Sequence, residues 1–163
     1  MSDVLDKLES ELREFIEADS SDGGIADLIG IASVQKGDPG FLTSSEYPYV
    51  MVSAGTISPK SETMGRAGWD ALNHDYQIAI MIDATEFVDP TQSGNDAEGP
   101  LEDAGIAMWL WFRRLGNRKL DDLPGIRDVK VGSLDFLPDE RGEVYARRAL
   151  LMLTVEKQHQ HRT

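Results

Sequence analysis

Leu5, Leu8, Leu12, Phe15 and Ile16 recur at three- and four-residue spacing near the start of the chain, with Asp6, Lys7, Glu9, Glu11, Arg13, Glu14 and Glu17 between them. This spacing puts one narrow apolar stripe on an amphipathic helix, with the charged residues on the far side. Ser2 is placed to cap the helix, early acids suit its dipole, and Asp19-Ser20-Ser21-Asp22-Gly23-Gly24 ends it. Three strands are predicted next. Residues 25–34 hold Ile29 and Ile31. Residues 47–57 begin Tyr-Pro-Tyr-Val-Met-Val, with Pro48 near the start, where a missing backbone donor is tolerated. Residues 75–85 alternate most clearly: Tyr76, Ile78, Ile80 and Ile82 point one way, and Gln77, Ala79, Met81 and Asp83 the other.

Residues 58–74, too long for a tight hairpin, read as a loop carrying Met64, Arg66 and Trp69. Residues 86–99, with Pro90, Ser93, Gly94 and Asn95, read as a second loop. Pro100 then opens a helix with Glu102 and Asp103 early and Arg113 and Arg114 late, ended by Gly116-Asn117. Ile106, Trp109, Leu110 and Arg113 share one face, and Met108, Trp111, Phe112 and Leu115 widen the apolar surface, so this helix is apolar on more than one side. After a turn at Pro124-Gly125, residues 129–137 and 144–156 form a strand pair joined at Pro138-Asp139-Glu140-Arg141-Gly142. The last strand is apolar on both faces and should be central. Residues 157–163 are polar and are expected to fray. The order is α-β-β-β-α-β-β: an α+β fold, with a mostly antiparallel sheet of about five strands packed by two helices.

Composition bounds the rest. A length of 163 residues suits one domain, taken as 1–163. No apolar run approaches the roughly 18 residues of a membrane span, and the acidic start Met1-Ser2-Asp3-Val4 predicts no secretory leader. Zero cysteines exclude disulfides and thiol chemistry. The net charge of −13 changes the picture most. Nucleic-acid affinity rests on clustered cations that release counterions, so this chain repels DNA and anionic membranes in bulk. Asp outnumbers Glu and Arg outnumbers Lys. Short carboxylates hold water at high salt, and the bias suggests adaptation to a salty milieu.

Little in the chain points to catalysis. His74 lies at a predicted loop–strand junction, and His159-x-His161 offers two metal ligands without a third. Asp121-Asp122 and the loop acids Asp89, Asp96 and Glu98 match no twelve-residue calcium loop. No phosphate-cradling glycine loop, nucleophile elbow or His-Glu-x-x-His pair occurs. No cofactor and no metal are therefore expected, and the chain reads as a non-enzyme. Partner contacts are expected at Met64, Arg66 and Trp69 on the 58–74 loop, residue types enriched where proteins meet. They are also expected at Arg113 and Arg114, cations that an acidic oligomer can use to bridge subunits.

Four features together resemble the tail terminator (tail completion) family of long-tailed phages and archaeal tailed viruses. They are the acidic amphipathic helix over 2–19, the Tyr47-Pro48-Tyr49-Val50-Met51-Val52 strand, and the strand over 76–82 after a variable loop. The fourth is the helix over 104–118, followed by a Leu-x-x-Leu-Pro-Gly turn and a closing strand with Arg147-Arg148-Ala149-Leu150. The resemblance spans nearly the whole chain as a pattern of elements. It implies a virion protein forming a homo-oligomeric, hexameric ring that caps the tail tube protein and meets the head-connector and neck proteins. Genomic DNA would pass through its lumen without sequence-specific binding, and an acidic lining would keep phosphate from sticking. Two other expectations stand beside it: a different neck or head-closure adaptor, and an unrelated small acidic ligand-binding domain or enzyme with a deep polar pocket.

Overall fold

The amphipathic spacing at the start of the chain does form a helix, α1 (Ser2–Ala18), and the alternating segments do form a sheet. The computed structural model describes residues 2–18, 34–37, 48–59, 69–83, 98–115, 120, 123, 125–139 and 146–160. After α1 come β1 (Val34–Lys36), β2 (Tyr49–Pro59), β3 (Trp69–Asp83), α2 (Glu98–Leu115), β4 (Ile126–Asp139) and β5 (Ala146–Gln160). Among the described residues this is the expected α-β-β-β-α-β-β order, two helices on a mostly antiparallel five-stranded sheet. The strands lie in the order β1-β2-β3-β5-β4, and the short β1 is parallel to β2.

Both helices pack on one face of the sheet. Val34, Val50, Ile80, Ala149 and Phe136 line up as register partners across all five strands on that side. Val4, Leu8, Leu12, Phe15 and Ile16 from α1 and Leu101, Ala104, Met108 and Phe112 from α2 close over them. Each fully buried side chain of this kind contributes about 1.5–3 kcal/mol before chain entropy is subtracted. Polar contacts fix α1 laterally: the Arg13 guanidinium donates to the Val34 carbonyl (3.0 Å) and pairs with Glu9 (3.2 Å). The Lys36 ammonium reaches Asp6, and this hydrogen bond holds its pKa above the usual lysine value. The rings of Phe15 and Trp111, 5.7 Å apart, join the two helices. On the opposite face Met51, Ala79 and Met81 form a second buried cluster against Tyr49 and Leu150.

Several boundaries differ from the expected ones. β3 starts at Trp69 rather than 75, and β2 runs to Pro59, so both ends of the expected 58–74 loop are strand, and 60–68 lie outside the described residues. β5 continues to Gln160, four residues into the stretch expected to fray. The two corrections share one cause: Trp69 to Asn73 pair with Gln160 to Glu156, so backbone pairing extends the strands where side-chain alternation has faded. β4 likewise begins at Ile126 rather than 129. Of the strand expected over 25–34, Val34 belongs to β1, and 25–33 lie outside the described residues. On α1, Glu11 is buried rather than facing water, because it shares the arc of Val4, Leu8 and Phe15; it pairs with Lys7 at 3.6 Å.

Candidate interaction surface

α2 is apolar on more than one side, so the sheet takes only part of what it offers. The buried arc is Leu101, Ala104, Met108 and Phe112, spaced three or four residues apart. At Gly105 the helix comes so close that a Cβ would stand 3.0 Å from the Phe136 ring and 3.2 Å from the Ala149 Cβ. That contact fixes the rotation of the helix and decides which of its apolar sides is packed. Ile106 and Leu110, which share a face with Arg113, are 43% and 55% exposed, and Arg113 and Arg114 stand beside them in solvent.

The outward side is held in shape. Trp109, half-buried at its edge, donates its indole N–H to the Gly132 carbonyl at 3.2 Å, tying the helix to β4. Above the ring sits the Arg113 guanidinium, its central carbon 4.9 Å from the centroid. A cation stacked on tryptophan at this range gains about 0.5–1 kcal/mol at an exposed site. The result is a surface of two branched aliphatics beside a tryptophan-braced arginine. This is the chemistry enriched in the central part of protein–protein contacts, where aromatic residues and arginine anchor and other charges are few.

A third large apolar residue is exposed on the other flank of the sheet. Ile57, near the end of β2, is 49% exposed, and Ala54 to Ile57 all face solvent. Beyond Ser53, β2 pairs with β3 alone among the described residues.

Arg113 and Arg114 thus lie where a partner can reach them, on the end of α2. Trp69 starts β3 opposite Gln160, so it is a strand residue and not a loop residue; its side chain, with Met64 and Arg66 altogether, falls outside the described residues. Ile57 was missed. Its signal in the sequence is a change of phase: Val50 and Val52 alternate by two, and Ile57 falls on the odd count after Gly55.

His74 is buried in β3 between Ile57 and Val155, and Glu156 is buried in β5. His159 is opposite Asp70 in the same sheet; His161, Asp89, Asp96, Asp121 and Asp122 lie outside the described residues. Among the described residues no three His, Asp or Glu side chains gather as a metal site, and no helix is long and apolar enough to cross a membrane. A cavity of about 120 Å³ between α2 and the β4–β5 pair is lined by Leu101, Glu102, Phe136 and Arg147. It is smaller than the ~300–1,000 Å³ of typical small-molecule sites.

No protein-family model and no curated protein matches the chain. Among solved structures it is similar to a chain of a structure described as the virion of a native gene transfer agent particle. The two share 17% sequence identity and superpose with a TM-score of 0.51, over 93% of this chain and 95% of that one. At this identity the likeness is one of fold, and it runs from end to end of both chains.

Proposed function

We propose that this chain is a structural virion protein without catalytic activity, and specifically a tail terminator. In this role it forms a ring, hexameric in the family it resembles, that caps the tail tube and meets the head-connector and neck proteins. The observation that carries the proposal is the end-to-end fold likeness to a chain of a virion particle, over 93% and 95% of the two chains. The outward face of α2 supports it, because exposed Ile106 and Leu110 beside Arg113 are suited to a protein partner.

The charge suits the same role. A lumen crossed by DNA must not bind phosphate, and a chain of net charge −13 repels it in bulk. The Arg113–Arg114 pair then serves contacts between subunits, where a cation offsets repulsion between acidic copies. Location follows from the role: the head–tail interface of the particle, after assembly in the host cytoplasm.

Deletion of the gene tests the proposal. Without a terminator, filled heads and free tails of uneven length should accumulate separately, and supplying the chain in trans should restore joined particles. If the deletion leaves joined particles with normal tails, the tail-terminator role is wrong. If normal-length tails accumulate beside heads that leak DNA, the chain is instead a head-closure adaptor.

A further inference from the structure

We propose that the Ile57 end of β2 in one copy seats against the outward face of α2 in the next copy, the contact repeating head to tail. This rests on the ring role above and deepens it by naming the two surfaces that meet.

The case begins at a bulge. Ala54 is opposite Tyr76 and Ile57 is opposite His74, so β2 spends three residues where β3 spends two. The extra residue turns Ile57 onto the helix-bearing side, in the row of Tyr76 and Ile78. Gly55 sits in the bulge, where a Cβ would come within 3.2 Å of the Asp75 carbonyl oxygen. The bulge therefore aims a branched aliphatic at the side of the sheet that helices cover. Its own helices leave it uncovered, since Ile57 is 49% exposed. A sheet face of this kind is completed by a helix with an apolar side, and α2 presents Ile106 and Leu110 outward.

Position makes the contact head to tail. β2 lies toward one flank of the sheet, whereas α2 packs over β5, β4 and β3. Joining unlike patches from the two flanks generates a ring or a filament rather than a closed dimer. Charge selects the same pair of surfaces. Copies carrying −13 each repel, so they meet where charge is low or opposite. β2 has no charged residue. α2 ends in exposed Arg113 and Arg114. An uncharged strand on one side thus faces a pair of cations on the other, and neither adds to the repulsion between acidic copies.

Sedimentation of the full chain with Ile57→Asp, Leu110→Asp and their equimolar mixture tests this. The wild type should associate with rising concentration, and each variant alone should associate at least about tenfold more weakly, 1.4 kcal/mol. The mixture should form one-to-one dimers and stop there. The Ile57 variant keeps a sound α2 face and the Leu110 variant keeps a sound β2 end, so a single good contact remains. Ile57→Thr and Leu110→Gln, milder changes at the same exposed positions, should give the same pattern if an aspartate variant melts early. Three results would overturn the proposal: a wild type monomeric at every concentration, variants that associate as it does, or a mixture that stays monomeric. These outcomes are separate from the virion role. Joined particles that still require a chain whose self-association ignores both positions would leave that role standing and assign the patches to another protein.

Discussion

Replacing Gly105 by alanine sets two opposing effects against each other, and the structure decides between them. Glycine in a helix interior costs about 1 kcal/mol relative to alanine, so Gly105→Ala should stabilise α2 taken alone. In place, the added Cβ would lie 3.0 and 3.1 Å from two atoms of the Phe136 ring and 3.2 Å from the Ala149 Cβ. Ala149 is fully buried on β5, flanked by strands on both sides, and its backbone has no room to withdraw. The half-buried Phe136 ring can yield only by leaving its packed position. Overpacking of this kind costs about 1–3 kcal/mol. The balance is a net loss of about 1 kcal/mol, or a fall of about 3 °C in Tm for a domain of this size. Urea unfolding followed by tryptophan fluorescence measures it. Phe136→Leu, which removes ring atoms at the contact, should cost less in the Gly105→Ala background than in the wild type, a coupling of about 0.5–1 kcal/mol. A Gly105→Ala protein more stable than wild type by about 1 kcal/mol would refute the close approach. The helix rotation that exposes Ile106 and Leu110 would then lose its cause.

Other expected outcomes follow from single contacts. Burial pushes the Tyr76 phenol above its ordinary value, so the folded chain holds its proton where the unfolded chain, near pH 10, has lost it. Stability should be intact below about pH 10 and fall as pH rises further; Tyr76→Phe should flatten that fall in urea titrations, and an unchanged slope would contradict it. A double-mutant cycle on Phe15→Leu and Trp111→Leu should return about 0.5–1.5 kcal/mol of coupling from rings 5.7 Å apart, and strict additivity would mean α1 and α2 do not brace each other. The Asp-rich, Lys-poor charge of −13 predicts a melting temperature that drops on dilution from molar to millimolar salt, read by circular dichroism; a salt-independent melt would remove the adaptation.

The sequence is most informative where a segment has one dry face. Tyr76, Ile78, Ile80 and Ile82 alternate without a break, and the centre of β3 is where the pattern puts it. α1 likewise follows its stripe, apart from Glu11. The rotation of α2 was not legible, because Leu101, Met108 and Phe112 on one side and Ile106, Trp109 and Leu110 on the other are equally apolar. Only tertiary contact, through the missing side chain of Gly105, selects between them. The strand ends were hidden for another reason. Trp69 to Asn73 and Lys157 to Gln160 pair through backbone groups that every residue carries, and without a clear apolar alternation of side chains they read as loop and tail. Arg113 and Arg114 were foreseen as surface cations from their place in the last turn of a helix. Ile57 needed the bulge, which the pattern shows only as a slipped phase after Gly55.

A cryo-electron microscopy map of the head–tail junction in intact particles tests the central claim most directly. A closed ring of this fold should cap the last tail-tube layer, with the Ile57 end of each copy against α2 of its neighbour and an acidic lining around the channel. Particles that lack the chain, or that carry it singly at a site away from the tail end, would contradict the account.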